Sequence, residues 1–302
     1  MGDEINYFIN NIHFACISAF FVVPLWAIME LKLVIYRIRT WLRHCLTATN
    51  TGGHGIHSPY LFEWVRMVMS DKHWFYVWDE IEAIRAKMLC DTREIDYVDY
   101  GSGAKVHGSV SKRSVCDVAR GSLAAAKYGQ LLSRLVVWLG RCSSEGVNVL
   151  ELGTSLGVTT AYMAAMDSRN RVVTLEGCPA VVKIAKANWK SLGLNNIDCR
   201  VGEIDVDSLR SVIDGLQGDL DVVFMDANHT YAGTRAYFKV LVEKMHGKSV
   251  LVVDDIHYNE EMEKAWKEIC ADKRVSSTMD LYQMGLVFFD KHYWKRDYRI
   301  RV

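Results

Sequence analysis

Short apolar runs alternate with amphipathic stretches of helical length through the second half of the chain, from residue 147 onward. Such an alternation of strand and helix is typical of a parallel sheet covered by helices on both faces. The pattern therefore predicts an α/β fold with a doubly wound, Rossmann-like sheet. The predicted strands cover residues 147–152, 171–176, 197–201, 220–225 and 248–253, and the predicted helices cover residues 157–167, 179–191, 205–215, 230–244 and 259–271.

Two further apolar runs, residues 275–282 and 285–289, follow the last predicted helix. They are too close together for a helix between them, so they predict a C-terminal antiparallel hairpin. Residues 292–302 are basic and aromatic, and we expect an edge strand or a tail there.

The region before the sheet is predicted to be mainly helical, with amphipathic stretches at residues 60–70, 81–89 and 123–139. Residues 73–78 form an aromatic cluster, His-Trp-Phe-Tyr-Val-Trp. This cluster either caps an acceptor pocket or packs a helical cap onto the core, and core packing is the favoured interpretation.

Two loops rich in small residues interrupt this helical region. Residues 47–59 mark a predicted boundary, and their His54 and His57 either line a substrate mouth or, as is commoner for loop histidines, are solvated. Residues 99–113 are rich in glycine and serine and are predicted to form a mobile loop. Their Gly101-Ser102-Gly103 run resembles a phosphate loop, but the strand–GK[ST]–helix frame is missing.

The N-terminal segment is apolar. Residues 14–29 carry no charge, and apolar residues resume up to position 36. The uninterrupted part of about 16 residues is shorter than the roughly 20 that span a bilayer, and Pro24 would bend a helix. We expect membrane contact through residues 14–36, by spanning or by lying in the interface, with a buried or homodimer-forming helix as the alternative.

The net charge indicates which classes of binding partner to expect, and the cysteine content indicates the cellular compartment. Lys and Arg together number 36, as do Asp and Glu, so no overall field favours nucleic acid, and no nucleic-acid partner is expected. The eight cysteines are scattered without a CxxC pair. They indicate reduced thiols in a cytoplasmic protein, membrane-associated if the N-terminal segment binds lipid, and they do not suggest a disulfide frame.

The candidate chemistry begins at residues 147–158, which read VNVLELGTSLGV. A strand ends at Gly153, Gly157 follows, and a helix begins, which is the opening of a nucleotide-binding α/β unit. The next strand ends in Glu176, 23 residues beyond Gly153, near the spacing at which an acid binds ribose hydroxyls. A third glycine is absent because Ser155 and Leu156 fill the loop. This disfavours a pyrophosphate cofactor and suits S-adenosylmethionine (SAM).

The runs ELGTSLG, TLEG, FMDANHTY and LVVDDI, in this order, resemble the class I SAM-dependent methyltransferases. They are most similar to the O-methyltransferase branch that includes the catechol and caffeoyl-CoA enzymes, and to an uncharacterised bacterial group with a GIHSP segment upstream. The resemblance covers residues 101–302. It implies a SAM-binding fold with the closing hairpin, and a segment before the core that closes over the cofactor.

The expected cofactor contacts follow the ends of the first four predicted strands. Residues near the glycine turn would surround the methionine and the sugar, and Glu176 would bind the ribose hydroxyls. Residues after the second and third strands would flank the adenine. The set comprises Glu151, Gly153, Thr154, Ser155, Gly157, Glu176, Gly177, Gly202, Glu203 and Asp226.

Three acids end the fourth and fifth predicted strands: Asp226, Asp254 and Asp255. Neighbouring parallel strands would bring the three carboxylates together, and such a set suits Mg²⁺. The resemblance assigns Asp226 and Asp254 to metal-binding aspartates, whereas Asp255 replaces an asparagine of the family.

His229 lies where the family has its catalytic lysine, and a histidine can act as a general base. We therefore expect His229 and Asp226 to be the catalytic pair. The nearby Asn228, Tyr231 and His257 are acceptor contacts or bystanders.

Together these observations predict a SAM-dependent methyltransferase that methylates a small-molecule or lipid-like hydroxyl, with Mg²⁺ as a candidate metal cofactor. The alternatives are a nicotinamide-dependent oxidoreductase and a non-catalytic, membrane-tethered SAM-binding module. The expected division is an apolar N-terminal helix (1–50), a helical cap with a mobile loop (51–120) and the methyltransferase domain (121–302).

Overall fold

The structure is a computed structural model that describes residues 25–100, 107–291 and 295–302. The chain divides into two compact units, residues 1–43 and residues 44–302. Residues 14–24 of the predicted membrane segment, Gly101-Ser102-Gly103 and residues 292–294 lie outside the described residues. Among the helices that are described, none combines the length and the apolar character needed to cross a membrane.

Helices and short strands make up the chain before the central sheet. Helix α1 (Leu25–Thr47) is followed by a 3-10 turn (Thr51–Gly53), α2 (Pro59–Trp64) with a π-helical turn (Val65–Met69), α3 (Val77–Leu89), β1 (Glu94–Asp99), β2 (Ser109–Ser114), α4 (Val115–Ser122) and α5 (Ala126–Gly140).

The central repeat then alternates strand and helix, as the hydrophobic pattern predicts. It consists of β3 (Asn148–Leu152), α6 (Val158–Ala164), β4 (Arg171–Glu176), α7 (Pro179–Ser191), β5 (Ile197–Val201), α8 (Val206–Asp214), β6 (Leu220–Met225), α9 (Tyr231–Leu241) with a 3-10 turn (Val242–Lys244), β7 (Met245–Asp254) and α10 (Glu260–Ala271). The chain closes with β8 (Ser277–Asp280), β9 (Met284–Phe288) and β10 (Arg296–Arg299).

Within the described residues, β3 to β10 form an eight-stranded sheet in the order β10-β8-β9-β7-β6-β3-β4-β5. Strands β3 to β7 pair with one another in parallel, whereas β9 is antiparallel to both β7 and β8. The Rossmann-like sheet and the closing antiparallel hairpin are therefore confirmed. Strand β10 pairs with β8 in parallel, which makes the described part of the C-terminal segment an edge strand.

Alternate residues of the central strands face two separate hydrophobic clusters. Val149 of β3 and Val252 of β7 pack with α5 on one face of the sheet, whereas Leu150 and Val253 pack with α9 and α10 on the other. Because both faces are covered, the middle of these strands is mostly apolar, as in buried parallel strands generally. Their carboxyl ends share one edge of the sheet, which is where the candidate site lies.

The structure corrects the last part of the predicted loop over residues 99–113, whose residues 101–106 lie outside the described residues. Residues Ser109–Ser114 are a strand that pairs antiparallel with Glu94–Asp99, in register from Glu94 with Ser114 to Asp99 with Ser109. Strand β2 is polar on both faces, so it lacks the apolar alternation by which strands are found.

Within the aromatic cluster at residues 73–78, Trp78 packs into the core and Phe75 is half-buried beside it, whereas Trp74 and Tyr76 are exposed. Trp78 is fully buried and contacts Trp74, Phe75 and Tyr162, with ring centroids 5.3, 5.0 and 6.3 Å away. No residue of the cluster lines the cavity described below. The favoured packing interpretation therefore agrees with the structure.

Candidate cofactor-binding and catalytic site

A cavity of about 670 Å³ opens at the carboxyl ends of the central strands. The loops after β3, β4, β6 and β7 form its floor and walls, and the β1–β2 hairpin lies along one side. Its size falls within the range of small-molecule and cofactor sites. The predicted site residues that line it are Gly153, Ser155, Glu176, Gly177, Glu203, Asp226, His229, Asp254 and Asp255.

The turn after β3 needs glycine at Gly153. Its φ is +95°, and a Cβ there would lie 2.1 Å from the carbonyl oxygen of Asp226. Strands β3 and β6 thus approach each other too closely for any other residue. Gly157 has φ +77° and ends the turn, and Trp189 Nε1 donates a 2.7 Å hydrogen bond to its carbonyl oxygen. Gly157 itself does not line the cavity.

The Glu176 carboxylate is fixed at the cavity wall by backbone donors. Ser155 N donates to its Oε2 at 2.8 Å, and Cys178 N donates to its Oε1 at 2.9 Å. Burial raises the pKa of Glu176 more than these N–H bonds lower it. Each oxygen keeps a lone pair that could accept from a bound diol. The ring of Tyr100 lies against the neighbouring Gly177, where a Cβ would meet it at 2.4 Å.

Glu151 and Thr154 lie beneath the cavity and do not line it. Glu151 is fully buried, and its Oε2 accepts hydrogen bonds from Thr160 and, at 2.6 Å, from Thr174. Its Oε1 has no hydrogen-bond partner. Burial raises the pKa of Glu151 to about 8, so this carboxyl stays largely protonated near neutral pH.

The loop after β5 contributes Glu203, Ile204 and Asp205 to the cavity lining. Glu203 lies at the cavity, and its Oε1 is 2.7 Å from Nε2 of His107 on the hairpin. Gly202 does not line the cavity, and its N–H donates to the carbonyl oxygen of Glu176 at 2.9 Å. The ring centroids of His107 and Tyr100 are 5.3 Å apart, so the hairpin reaches across the cavity to Glu203.

Asp226 and His229 form a pair that lines the same cavity. His229 Nε2 lies 3.3 Å from Asp226 Oδ1, and about a quarter of each side chain is exposed. Burial alone would lower the pKa of His229, but the hydrogen bond and charge of Asp226, together with the charge of Asp255, raise it overall. The imidazole is therefore held beside a carboxylate and faces the cavity.

The three aspartates of the predicted metal site line the same cavity but are not gathered around one point. In the described part of the chain, no choice of one oxygen from each of the three aspartates brings all three atoms within 4.8 Å of one another. Asp226 binds His229, and Asp255 Oδ1 accepts a hydrogen bond from Gln283. Asp254 is buried, its Oδ1 has no hydrogen-bond partner, and burial raises its pKa well above the ordinary value, helped by Asp226 and Asp255. The three carboxylates therefore share the cavity without forming one compact ligand cluster among the described residues.

Several lining residues were missed by the sequence patterns. They come from the β1–β2 hairpin and from two elements far along the chain: Tyr97, Val98, Tyr100, His107, Tyr237 and Gln283. The hairpin residues agree with the expectation that a segment before the core closes over the site. The alternation of acidic residues with Ile95 and Tyr97 in Glu94–Asp99 was the one available signal.

The remaining candidates lie elsewhere or play supporting parts. Asn228 lines the cavity, and its side chain donates to the Tyr237 hydroxyl at 3.3 Å. The Tyr231 hydroxyl donates to Glu268 at 2.8 Å, outside the cavity lining. His54 and His57 are exposed and do not line it. His257 belongs to a separate buried cluster.

Comparison with known proteins identifies the central segment. Residues 150–256 match the family model described as a methyltransferase domain. A catechol O-methyltransferase of Niastella koreensis is 30% identical over 132 residues, which are 43% of this chain and 55% of the relative. A protein-L-isoaspartate O-methyltransferase of Magnetococcus marinus is 38% identical over 58 residues, 19% of this chain and 25% of the relative. The chain thus spans about half the length of the first of these curated relatives and a quarter of the second.

Among solved structures, the O-methyltransferase of Bacillus cereus in complex with S-adenosylhomocysteine (SAH) aligns with 76% of this chain and 97% of its own, at 20% identity and a TM-score of 0.49. The family match covers the segment from β3 to the loop after β7, which supplies most walls of the cavity. Residues 150–256 of the chain therefore match a methyltransferase domain, and the residues around the cavity belong largely to that segment.

Proposed function

We propose that this chain transfers a methyl group from SAM to a hydroxyl oxygen of a small-molecule or lipid-like acceptor. The observation that carries the proposal is one cavity lined both by the backbone-bound Glu176 carboxylate and by the His229–Asp226 pair. We assign the binding of the ribose diol to Glu176 and the removal of the acceptor proton to His229. The sequence match to an O-methyltransferase supports the same reaction.

The described residues fit the cofactor. Glu176 offers lone pairs to the ribose hydroxyls, and Gly177 with the Tyr100 ring offers a flat surface for the adenine. Gly153 lets the backbone of the loop come close to a bound molecule, since any side chain would strike the Asp226 carbonyl. Bound SAM would supply a methyl group activated on a sulfonium.

In the proposed reaction, the acceptor oxygen attacks the methyl carbon in line with the breaking C–S bond. The bonding pair of that C–S bond passes to sulfur, which leaves SAH. The proton of the acceptor hydroxyl passes to the neutral His229 imidazole, and Asp226 stabilises the imidazolium that forms. Holding the two reacting atoms in line supplies much of the rate, because a displacement depends strongly on orientation.

No step of this reaction is assigned to a metal. The three aspartates are not gathered, and two of them are already engaged by His229 and Gln283. Magnesium assistance through Asp226, Asp254 and Asp255 would require these carboxylates to close around the ion.

Contact with a lipid surface through the N-terminal segment belongs to the same proposal. The described part of α1 exposes large apolar side chains, among them Leu31, Ile35 and Ile38, each more than half exposed. Lys32, Arg37, Arg39 and Arg43 lie on the same helix, and this combination is typical of interfacial helices. Co-sedimentation with anionic vesicles tests it, since Ile35→Glu with Ile38→Glu should abolish pelleting and leave the soluble fraction folded.

The reaction is tested with methyl-labelled SAM and catechol, extended to a panel of phenolic and lipid hydroxyls. We expect labelled product and SAH in equal amounts from the wild type, and a large loss with His229→Gln. His57→Gln is the matched control because His57 is an exposed loop histidine outside the cavity. SAM binding without turnover on any acceptor would instead favour a non-catalytic SAM-binding module.

A further inference from the structure

A second cluster of potential ligands lies away from the cofactor cavity, within residues 44–302. His44 at the end of α1, His257 in the loop after β7 and Asp280 at the end of β8 are 5%, 7% and 6% exposed. Asp280 places its two oxygens 3.2 Å from His44 Nδ1 and 3.0 Å from His257 Nε2. Among the residues that the structure describes, this is the one group of three whose potential ligand atoms all lie within 4.8 Å of one another.

The two imidazoles of this cluster make few hydrogen bonds with the rest of the protein. Neither ring nitrogen of His44 makes a well-aligned hydrogen bond, and Nδ1 of His257 has no partner. Buried polar atoms without partners are costly, and in native proteins they commonly mark a bound group. A separate cavity of about 400 Å³, lined by His257 and Asp280, adjoins the cluster and gives an exchangeable ligand a way in.

We propose that His44, His257 and Asp280 bind a divalent transition-metal ion, with Zn²⁺ as the species that this donor set favours. Two imidazoles and one carboxylate are a common protein donor set for zinc, with the fourth position taken by water. With bonds of about 2.0–2.1 Å, the ligand atoms of a tetrahedral site lie roughly 3.3 Å apart. The separations of 3.2 and 3.0 Å, each to a different oxygen of Asp280, are close to that spacing, and one ligand atom from each residue lies within 4.8 Å of the other two.

The guanidinium of Arg299 lies beside the cluster, and its positive charge should weaken the binding of a metal cation. Arg299 Nε lies 3.6 Å from Asp280 Oδ2. Its side chain is 44% exposed and also donates to Thr47 Oγ1 at 2.9 Å, so it lies at the solvent side of the cluster. Removing its charge should strengthen zinc binding, because a like charge beside the carboxylate weakens its hold on a cation.

The ion would join three segments that are far apart in sequence. His257 lies two residues after Asp255, and its ring stacks on Tyr282 with centroids 5.3 Å apart. The next residue, Gln283, hydrogen-bonds Asp255 in the cofactor cavity. By binding His257, zinc would thereby restrain the loop after β7, which carries Asp255 of the cofactor cavity. The proposal does not depend on the methyltransferase assignment.

The test uses the full chain, stripped of metals with a chelator, dialysed and titrated with Zn²⁺ by calorimetry. We expect one ion per chain and a rise in the melting temperature on zinc addition. His44→Gln, His257→Gln and Asp280→Asn should each weaken binding by on the order of 100-fold or more, since even outer-sphere partners are worth 10- to 100-fold. Arg299→Gln should tighten it severalfold.

Two controls separate this site from others. His54→Gln removes an exposed histidine and should leave zinc binding unchanged. Asp254→Asn tests whether the ion binds in the cofactor cavity instead. The proposal fails if wild type binds no stoichiometric zinc, or if Asp254→Asn abolishes binding that His44→Gln retains. Should one cluster variant fail to fold, the remaining variants and the zinc-dependent melting of the wild type decide the matter.

Discussion

Three of the residues that line the cofactor cavity hold a backbone conformation that side chains rarely adopt. Ser155, Asn228 and Asp255 have φ of +49°, +51° and +54° and follow the ends of β3, β6 and β7. Asn and Asp tolerate this conformation better than most residues. Strained backbone of this kind gathers at functional sites, where the surrounding structure holds it in place. The three turns thus present their N–H groups and side chains to one cavity.

Gly153→Ala should destabilise the fold and disrupt the site. The new Cβ would have to fit 2.1 Å from the Asp226 carbonyl at a φ of +95°. Gly193→Ala is the matched control, because Gly193 has φ +69° but nothing within 4 Å of its Cβ position. Denaturant unfolding should show a loss of about 1–2 kcal/mol for the control, from backbone strain alone, and a clearly larger loss for Gly153→Ala. Equal losses would contradict the close approach of β3 and β6.

Glu151 should make stability fall as the pH rises from about 4.5 to 8. Its pKa is raised by burial from 4.5 to about 8, so in that window the folded chain binds a proton that the unfolded chain releases. The stabilising contribution is therefore complete below the unfolded pKa and lost as the pH passes the folded one. The slope is up to about 1.4 kcal/mol per pH unit.

Glu151→Gln should flatten this pH profile of stability, since the amide keeps an oxygen for Thr160 and Thr174 but does not titrate. Glu145→Gln, at an exposed glutamate, is the control. Urea unfolding at several pH values measures the slope. A wild-type slope that survives in Glu151→Gln would show that another group is responsible.

His229→Gln should lower kcat by roughly 10²–10⁴-fold, the usual contribution of a general base. SAH affinity should stay unchanged, because the imidazole contacts Asp226 and not the Glu176 side of the cavity. Single-turnover kinetics and an SAH titration separate the two effects. A variant that loses SAH binding in proportion to activity would make His229 a cofactor contact instead.

Adding Mg²⁺ to chelator-treated enzyme should leave turnover unchanged within about twofold, since no step is assigned to a metal through Asp226, Asp254 and Asp255. The comparison is made at constant ionic strength, with and without added magnesium. A strong dependence would show that the three carboxylates do close around the ion.

At the level of strands and helices, the central repeat could be predicted because each βα unit carries its own signals. Strands β4, β5 and β6 have the predicted bounds, and Pro179 begins α7 where predicted. The β1–β2 hairpin could not be predicted in the same way. Both faces of β2 are mostly exposed, so its strand conformation depends on pairing with β1 and leaves no apolar alternation to detect.

The hairpin should contribute to cofactor affinity through Tyr100, whose ring lies against Gly177. Tyr100→Ala should weaken SAH binding roughly tenfold, the loss expected for one aromatic contact. Tyr76→Ala is the control, since Tyr76 is 88% exposed and does not line the cavity. Equal SAH affinities for wild type and Tyr100→Ala would show that Tyr100 does not contribute to cofactor binding.

Over the full chain, the order of the strands follows from general rules of α/β folds, and it correctly places β6 and β7 side by side. Side-chain convergence does not follow from that order. Asp226, Asp254 and Asp255 all reach the predicted edge, but Asp226 pairs with His229 and Asp255 accepts a hydrogen bond from Gln283, contacts that the strand order does not predict. The cluster of His44, His257 and Asp280 joins positions more than 200 residues apart, which no local pattern can reveal.

The most direct test of the proposed function is a calorimetric titration of the full chain with SAH, with NAD titrated in parallel. We expect micromolar SAH binding, a loss of at least tenfold with Glu176→Gln, and no NAD binding. Binding of NAD but not of SAH would contradict the methyltransferase assignment. Glu176 would then be a ribose-binding residue of a nicotinamide-dependent enzyme.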